Sequence, residues 1–158
     1  MRTLIAGIGN IFLGDDGFGV EVARRLGRES LGDGVDVKDF GIRGVHLAYE
    51  IAGGAYERVV LVDAVSRGGA PGTLYAIEPE IEAGGERELA LDADAHGLTP
   101  AQVLAWLQRI GASPPRIVVV GCEPACVDES MELSEPVMTA IEGAVCMVRE
   151  LIAASQES

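Results

Sequence analysis

Basic residues are scarce in this 158-residue chain: 12 lysines and arginines stand against 25 acids, a net charge of −13. That excess argues against nucleic acid or an anionic membrane as partner, because both are held by a basic face. Cysteine is scarce as well, and the count of three is odd. No disulfide framework follows, so reduced thiols in a cytoplasmic protein are expected. Cys122 and Cys126 form a lone C-x3-C pair, which reads as incidental or packing cysteines rather than as a metal site. No run approaches the ~20 apolar residues that a membrane span requires. The opening MRTLIAGIGN has too short an apolar run for a signal peptide.

What the chain has in quantity is aliphatic side chain and glycine, 48% hydrophobic residues with 21 glycines and only 4% aromatics. Such hydrophobicity excludes disorder and suits a globular α/β protein with an aliphatic core. One domain is expected over residues 1–153, with 154–158 as a frayed tail. Strand and helix signals alternate throughout. Thr3 to Ala6, Val35 to Val37, Val59 to Val62 and Ile117 to Val120 read as strands, and Thr73 to Ile77 as a strand returning near the sheet's edge. Gly17 to Leu26 and Val45 to Ala52 read as helices. Thr99-Pro100 starts another, with Val103, Leu107 and Ile110 as its stripe and Gly111 as its end. Ser134 opens the last, with Val137, Ile141, Ala144, Val148 and Leu151 facing inward.

This alternation predicts a three-layer α/β/α fold, a mostly parallel twisted sheet with helices on both faces. Sites in such folds sit beyond the carboxyl ends of the strands. Asp16, Asp39 and Asp63 each follow a predicted strand, so all three are expected at one edge.

Gly7-Ile8-Gly9-Asn10-Ile11-Phe12 invites a dinucleotide-binding reading, but that fingerprint needs glycine where Phe12 stands. Asp15-Asp16 then places two carboxylates where a pyrophosphate would meet helix amides, and they would repel it. One aspartate there serves as a helix cap; a second has no capping duty left. Asp16 and Asp63, 47 residues apart, and His96, 33 further on, together offer two carboxylates and an imidazole. That set suits a borderline divalent ion such as nickel or zinc with positions left open. No Ser-His-Asp elbow, H-E-x-x-H helix or Cys–His pair is visible. His46, in Val45-His46-Leu47, reads as a surface or packing residue.

Four collinear blocks resemble the nickel-iron hydrogenase maturation proteases. They are Gly7-x-Gly9-Asn10 through Asp15-Asp16-Gly17-x-Gly19, Val60-Leu61-Val62-Asp63-Ala64 with the Pro71-Gly72 turn, His96-Gly97-Leu98, and Gly121-Cys122-Glu123-Pro124 leading to Leu133-Ser134-x-Pro136-Val137. The resemblance implies a five-stranded sheet and an endopeptidase that removes the C-terminal extension of a nickel-iron hydrogenase large-subunit precursor once nickel is in place. It implies Asp16, Asp63 and His96 as contacts to nickel, which the substrate carries, with no firmly bound cofactor in the enzyme. Many relatives have glutamate where this chain has Asp16. Asp39 matches a further acidic position and is the candidate general base. It opens Asp39-Phe40-Gly41-Ile42-Arg43-Gly44 instead of the Asp-Gly-Gly start common among relatives, which suggests a subgroup with its own client. A cytoplasmic monomer is expected. The competing readings are a non-enzymatic nickel-binding accessory protein and a nucleotide-binding oxidoreductase.

Overall fold

Aliphatic runs without polar alternation become strands covered on both sides, and two of them form the centre of this molecule. The computed structural model describes residues 2–79, 99–110 and 115–156. β1 (Thr3–Ile8) is buried at every position and β3 (Arg58–Ala64) at all but the last. β2 (Val35–Gly41) and β4 (Leu74–Ile77) lie at the two edges and are only half-buried, and β5 (Arg116–Cys122) lies between β3 and β4. The order is β2-β1-β3-β5-β4; all neighbours are parallel except β4, which runs antiparallel to β5. The expected five-stranded, mostly parallel sheet is therefore present, and the strand expected from Thr73 lies at its edge, starting one residue later at Leu74.

From β1 the chain turns back to β2 and then crosses β1 again to reach β3. Because parallel crossovers share one hand, opposite directions of travel put their helices on opposite faces. α1 (Phe18–Leu26) accordingly packs with α4 (Glu135–Gln156) on one side, where Phe18, Val22, Ile141 and Val148 meet Ile5, Val60, Val62 and Val120. α2 (Gly44–Ala52) and α3 (Pro100–Ile110) cover the other, where Leu47, Ile51 and Leu107 meet Leu4, Ile8, Leu61 and Val119. At the start of α3, the Gln102 N–H donates to Thr99 Oγ1 at 3.2 Å and the Thr99 N–H to Gln102 Oε1 at 3.3 Å. The expected N-cap is thus a reciprocal capping box. Gly111 lies outside the described residues. α4 reaches Gln156, into the stretch expected to fray. None of the described helices is long and apolar enough to cross a membrane.

The glycines of the first block are where α1 touches the sheet. A Cβ on Gly19 would lie 2.0 Å from the Val62 carbonyl oxygen and 2.5 Å from that of Ile8. A Cβ on Gly7 would lie 2.4 Å from the Gly19 oxygen. Helix and strands are in backbone contact, so no larger residue fits without lifting α1. Gly19→Ala is expected to destabilise the fold by about 3 kcal/mol, the upper range for overpacking. For a chain of this size that is a fall of roughly 6–12 °C in Tm. A thermal melt within 2 °C of wild type would show that the contact relaxes freely.

Candidate active site

The connections leaving β1 and β3 diverge, one toward β2 and the other toward β4 and β5, which opens a crevice between the carboxyl ends of these two neighbours. Three acids from the first two sequence blocks converge there: Asp15 and Asp16 on a 3-10 turn (Gly14–Gly17) leading into α1, and Asp63 near the end of β3. α1 itself starts from Gly17 with no side-chain cap, so neither aspartate has the capping duty considered for it.

Asp15 reaches across to the other end of the chain instead. It is 1% exposed, and its carboxylate accepts hydrogen bonds from the Ala125 N–H at 2.7 Å, the Cys126 N–H at 3.0 Å, the Ser134 N–H at 2.6 Å and the Ser134 hydroxyl at 2.8 Å. It ties the loop after β1 to the loop after β5 and to the start of α4. Backbone bonds reinforce the seam, the Asp15 N–H donating to the Cys126 oxygen at 2.9 Å and the Gly14 N–H to the Ser130 oxygen at 2.8 Å. Burial pushes the Asp15 carboxyl up, but the bonds from Ser134, Cys126 and Ala125 outweigh it and hold it below its ordinary range. Sequence reading missed this role, and Ser134, read there as opening the last helix, gives its hydroxyl as a donor to Asp15.

Asp16 and Asp63 form the pair that the spacing could not prove. Asp16 is half-buried and accepts a bond from the Asn10 N–H at 2.7 Å. Asp63 is 1% exposed, and Oδ1 accepts the Ala64 N–H at 2.8 Å. Gly9, at φ 136°, is the wall they share: a Cβ there would lie 1.9 Å from the Asp16 backbone oxygen and 3.2 Å from Asp63 Oδ1. Burial, then the negative charge of Asp16, push the Asp63 carboxyl well above its ordinary range, against the bond from Ala64. The site therefore carries a buried carboxyl beside a second carboxylate, an arrangement that a cation relieves.

Asp39 lies within β2, paired with Gly7, rather than just after the strand, because β2 continues past its apolar residues to Gly41. Asp63 likewise belongs to its strand. Asp39 Oδ1 accepts the Gly41 N–H at 2.9 Å, and Oδ2 lies 4.0 Å from Arg24 Nε. Gly41 in turn receives the Gly9 N–H on its oxygen at 2.9 Å, so Asp39 flanks the crevice on the side of Gly9 toward β2. α2 begins from Arg43 without a side-chain cap, so Asp39 shapes the loop rather than capping that helix. His96 lies outside the described residues. Among the described residues no three metal-ligating side chains cluster. His46 is exposed on α2. Cys122 packs in the core, its thiol pushed up to about 11 by burial and by the charges of Asp15 and Glu123, which makes it a poor nucleophile or ligand.

A family model described as hydrogenase maturation protease matches residues 20–151. The chain is 32% identical over 161 residues to the hydrogenase 2 maturation protease of Escherichia coli K12, covering 100% of this chain and 93% of that protein. The solved structure of the hydrogenase maturating endopeptidase HybD from E. coli is similar with a TM-score of 0.81 at 30% identity, over 98% of this chain and 94% of that one. A hydrogenase 2 maturation peptidase from a Thaumarchaeota archaeon gives 0.73 at 34% identity, over 97% and 99%.

The two buried aspartates carry opposite pH signatures. Asp15, held low, contributes stability above the ordinary aspartate pKa of ~3.9 that is lost as pH falls through its folded value. Asp15→Asn is expected to cost about 2 kcal/mol at neutral pH, since a donor would face the amides that the carboxylate served. Asp63, held high, does the reverse: the unfolded chain ionises near ~3.9 while the fold keeps the proton, so stability falls as pH rises through that window. Asp63→Asn should therefore raise Tm at pH 7 and converge with wild type below about pH 4. Melts of both variants from pH 3 to 8 check this, and an Asp63→Asn protein less stable than wild type at pH 7 would contradict the assigned environment.

Proposed function

The chain belongs to the hydrogenase maturation protease family, and on that premise we propose that it removes the C-terminal extension of a nickel-iron hydrogenase large-subunit precursor, reading the nickel that the precursor carries through Asp16 and Asp63. The observation that carries this is the buried Asp63 carboxyl beside Asp16 at the switch point of the sheet. Two carboxylates crowded into one crevice repel each other, and among the described residues Asp63 accepts one hydrogen bond against its burial. A divalent ion entering with the client would supply the missing positive charge and displace the proton. His96, which the resemblance assigns to the same set, is proposed as the third contact.

Nickel in this reading belongs to the substrate. Carboxylates and one imidazole hold a borderline ion loosely, whereas thiolates hold it firmly. Neither Cys122 in the core nor the exposed Cys126 belongs to the proposed set. The ion would position the scissile bond and depart with the processed client. Asp39 remains the candidate base, and the hydrogen bond it accepts from Gly41 and its ion pair with Arg24 also give it a structural duty. The free cysteines are consistent with work in the cytoplasm. The Escherichia coli relatives described above are a named protease and a named endopeptidase, which favours an enzyme over a non-enzymatic accessory protein.

The reading is tested by incubating purified enzyme with nickel-loaded and nickel-free precursor and following mass loss at the client's C-terminus. Nickel-loaded precursor should be cut and nickel-free precursor should resist even excess enzyme. Asp63→Ala and His96→Ala are each expected to lower the rate at least 100-fold, about 3 kcal/mol of transition-state stabilisation. Asp16→Glu, which restores the commoner family residue, should be mildest. Efficient cutting of nickel-free precursor by wild type would overturn nickel recognition while leaving the peptidase activity in place.

A further inference from the structure

Between β3 and β4 the chain has to cross over the carboxyl end of β5, because β4 lies beyond it. The crossing segment, residues 65–73, has no repetitive structure, and residues 66–71 are exposed. Glu123 stands directly after β5, beneath this crossing, and is 6% exposed. Its Oε1 accepts the Arg67 N–H at 2.8 Å, the Gly69 N–H at 3.0 Å and the Tyr75 hydroxyl at 2.8 Å. Its backbone joins in: the Gly72 N–H donates to the Glu123 oxygen at 2.8 Å, and the Glu123 N–H donates to the Thr73 oxygen at 2.8 Å. The near end is fixed by the Val65 N–H on the Cys122 oxygen at 2.9 Å. There is no room for slack at Gly69, where a Cβ would lie 2.3 Å from the Tyr75 oxygen.

A surface loop of this kind needs no buried anion merely to exist, since water would satisfy its amides. Converging amides around a carboxylate make a nest that fixes one backbone shape. The bond from Arg67, then that from Tyr75, hold the Glu123 carboxyl below its ordinary range, so it is an anion wherever the enzyme works. The loop also starts immediately after the candidate site: Asp63 bonds to Ala64, and Val65 is the next residue. With β1 on one side of β3 and β5 on the other, the crossing forms the β5-side flank of Asp63.

We propose that Glu123 is a positioning residue for the peptidase reaction, holding residues 65–73 as a preformed wall beside Asp63 against which the client segment binds. This rests on the peptidase function proposed above. A wall already ordered spares the client the entropy of ordering it, so its loss is felt in binding rather than in chemistry. The nickel contacts of Asp16 and Asp63 do not pass through Glu123.

The test compares wild type, Glu123→Ala, Glu123→Gln and Tyr75→Phe on nickel-loaded precursor, with limited trypsin digestion of each enzyme alone as a second readout. Glu123→Ala should raise KM at least tenfold with kcat within threefold, and Glu123→Gln, which keeps an acceptor oxygen without the charge, should recover part of the loss. Trypsin cleavage after Arg67 should accelerate at least tenfold in Glu123→Ala. Tyr75→Phe removes one donor and leaves the carboxylate, so a rise of about threefold in KM supports the role even where Glu123→Ala fails to fold. An unchanged KM in the folded Glu123 variants and in Tyr75→Phe, with wild type cutting normally, would overturn the positioning role alone. So would a fall in kcat with KM unmoved, or an unaltered trypsin pattern. A wild-type enzyme that cuts no precursor would overturn the activity, and the positioning role with it.

Discussion

Backbone contact between α1 and the two central strands is the constraint on which the rest of the molecule depends. Gly19 sits against the carbonyl oxygens of Ile8 and Val62, and Gly7 against Gly19 and Ala23, with no space for a side chain at either. Interiors packed at this density transmit displacement rather than absorbing it. Lifting α1 off the sheet would carry along the 3-10 turn that precedes it, and with that turn the Asp16 backbone that closes on Gly9. The distance between Asp16 and Asp63 is thus set by how near a helix lies to a sheet. A glycine pattern that resembles a phosphate loop is used here to bring two acids together.

The acids at the carboxyl edge serve different ends, and hydrogen-bond donors make the difference. Asp15 is as buried as Asp63 but receives four donors, so its carboxylate is held charged and acts as a clamp across the molecule. Glu123 gathers three on one oxygen and clamps a loop. Asp39, more exposed, receives one and closes a turn. Among the described residues Asp63 is buried with one donor, the Ala64 N–H, and a like charge beside it. A buried carboxyl short of donors costs stability, and such a cost is the kind of exchange for activity that the proposed role of Asp63 would explain. The clamps around it are well supplied with donors, and Asp63 is the proposed position for an incoming cation.

Much of the architecture was legible because it is written in local patterns. The aliphatic runs of β1, β3 and β5, the 3.6-residue stripes of α1 and α4, and Thr99-Pro100 each involve neighbours in sequence, and each became the element expected. Strand ends were less legible, since β2 runs on through Asp39 to Gly41 by pairing with β1 rather than by apolar content. The roles of Asp15 and Glu123 were not legible at all. Asp15 meets partners 110, 111 and 119 residues away, and Glu123 meets partners 56, 54 and 48 residues away, with no periodicity that announces either. By itself the sequence determined the layers, the elements, the family resemblance and the short list of acids. Only the tertiary structure decided which acid is clamped and which is left short of donors, because that depends on the strand order β2-β1-β3-β5-β4 and on chain segments that meet only once the sheet has formed.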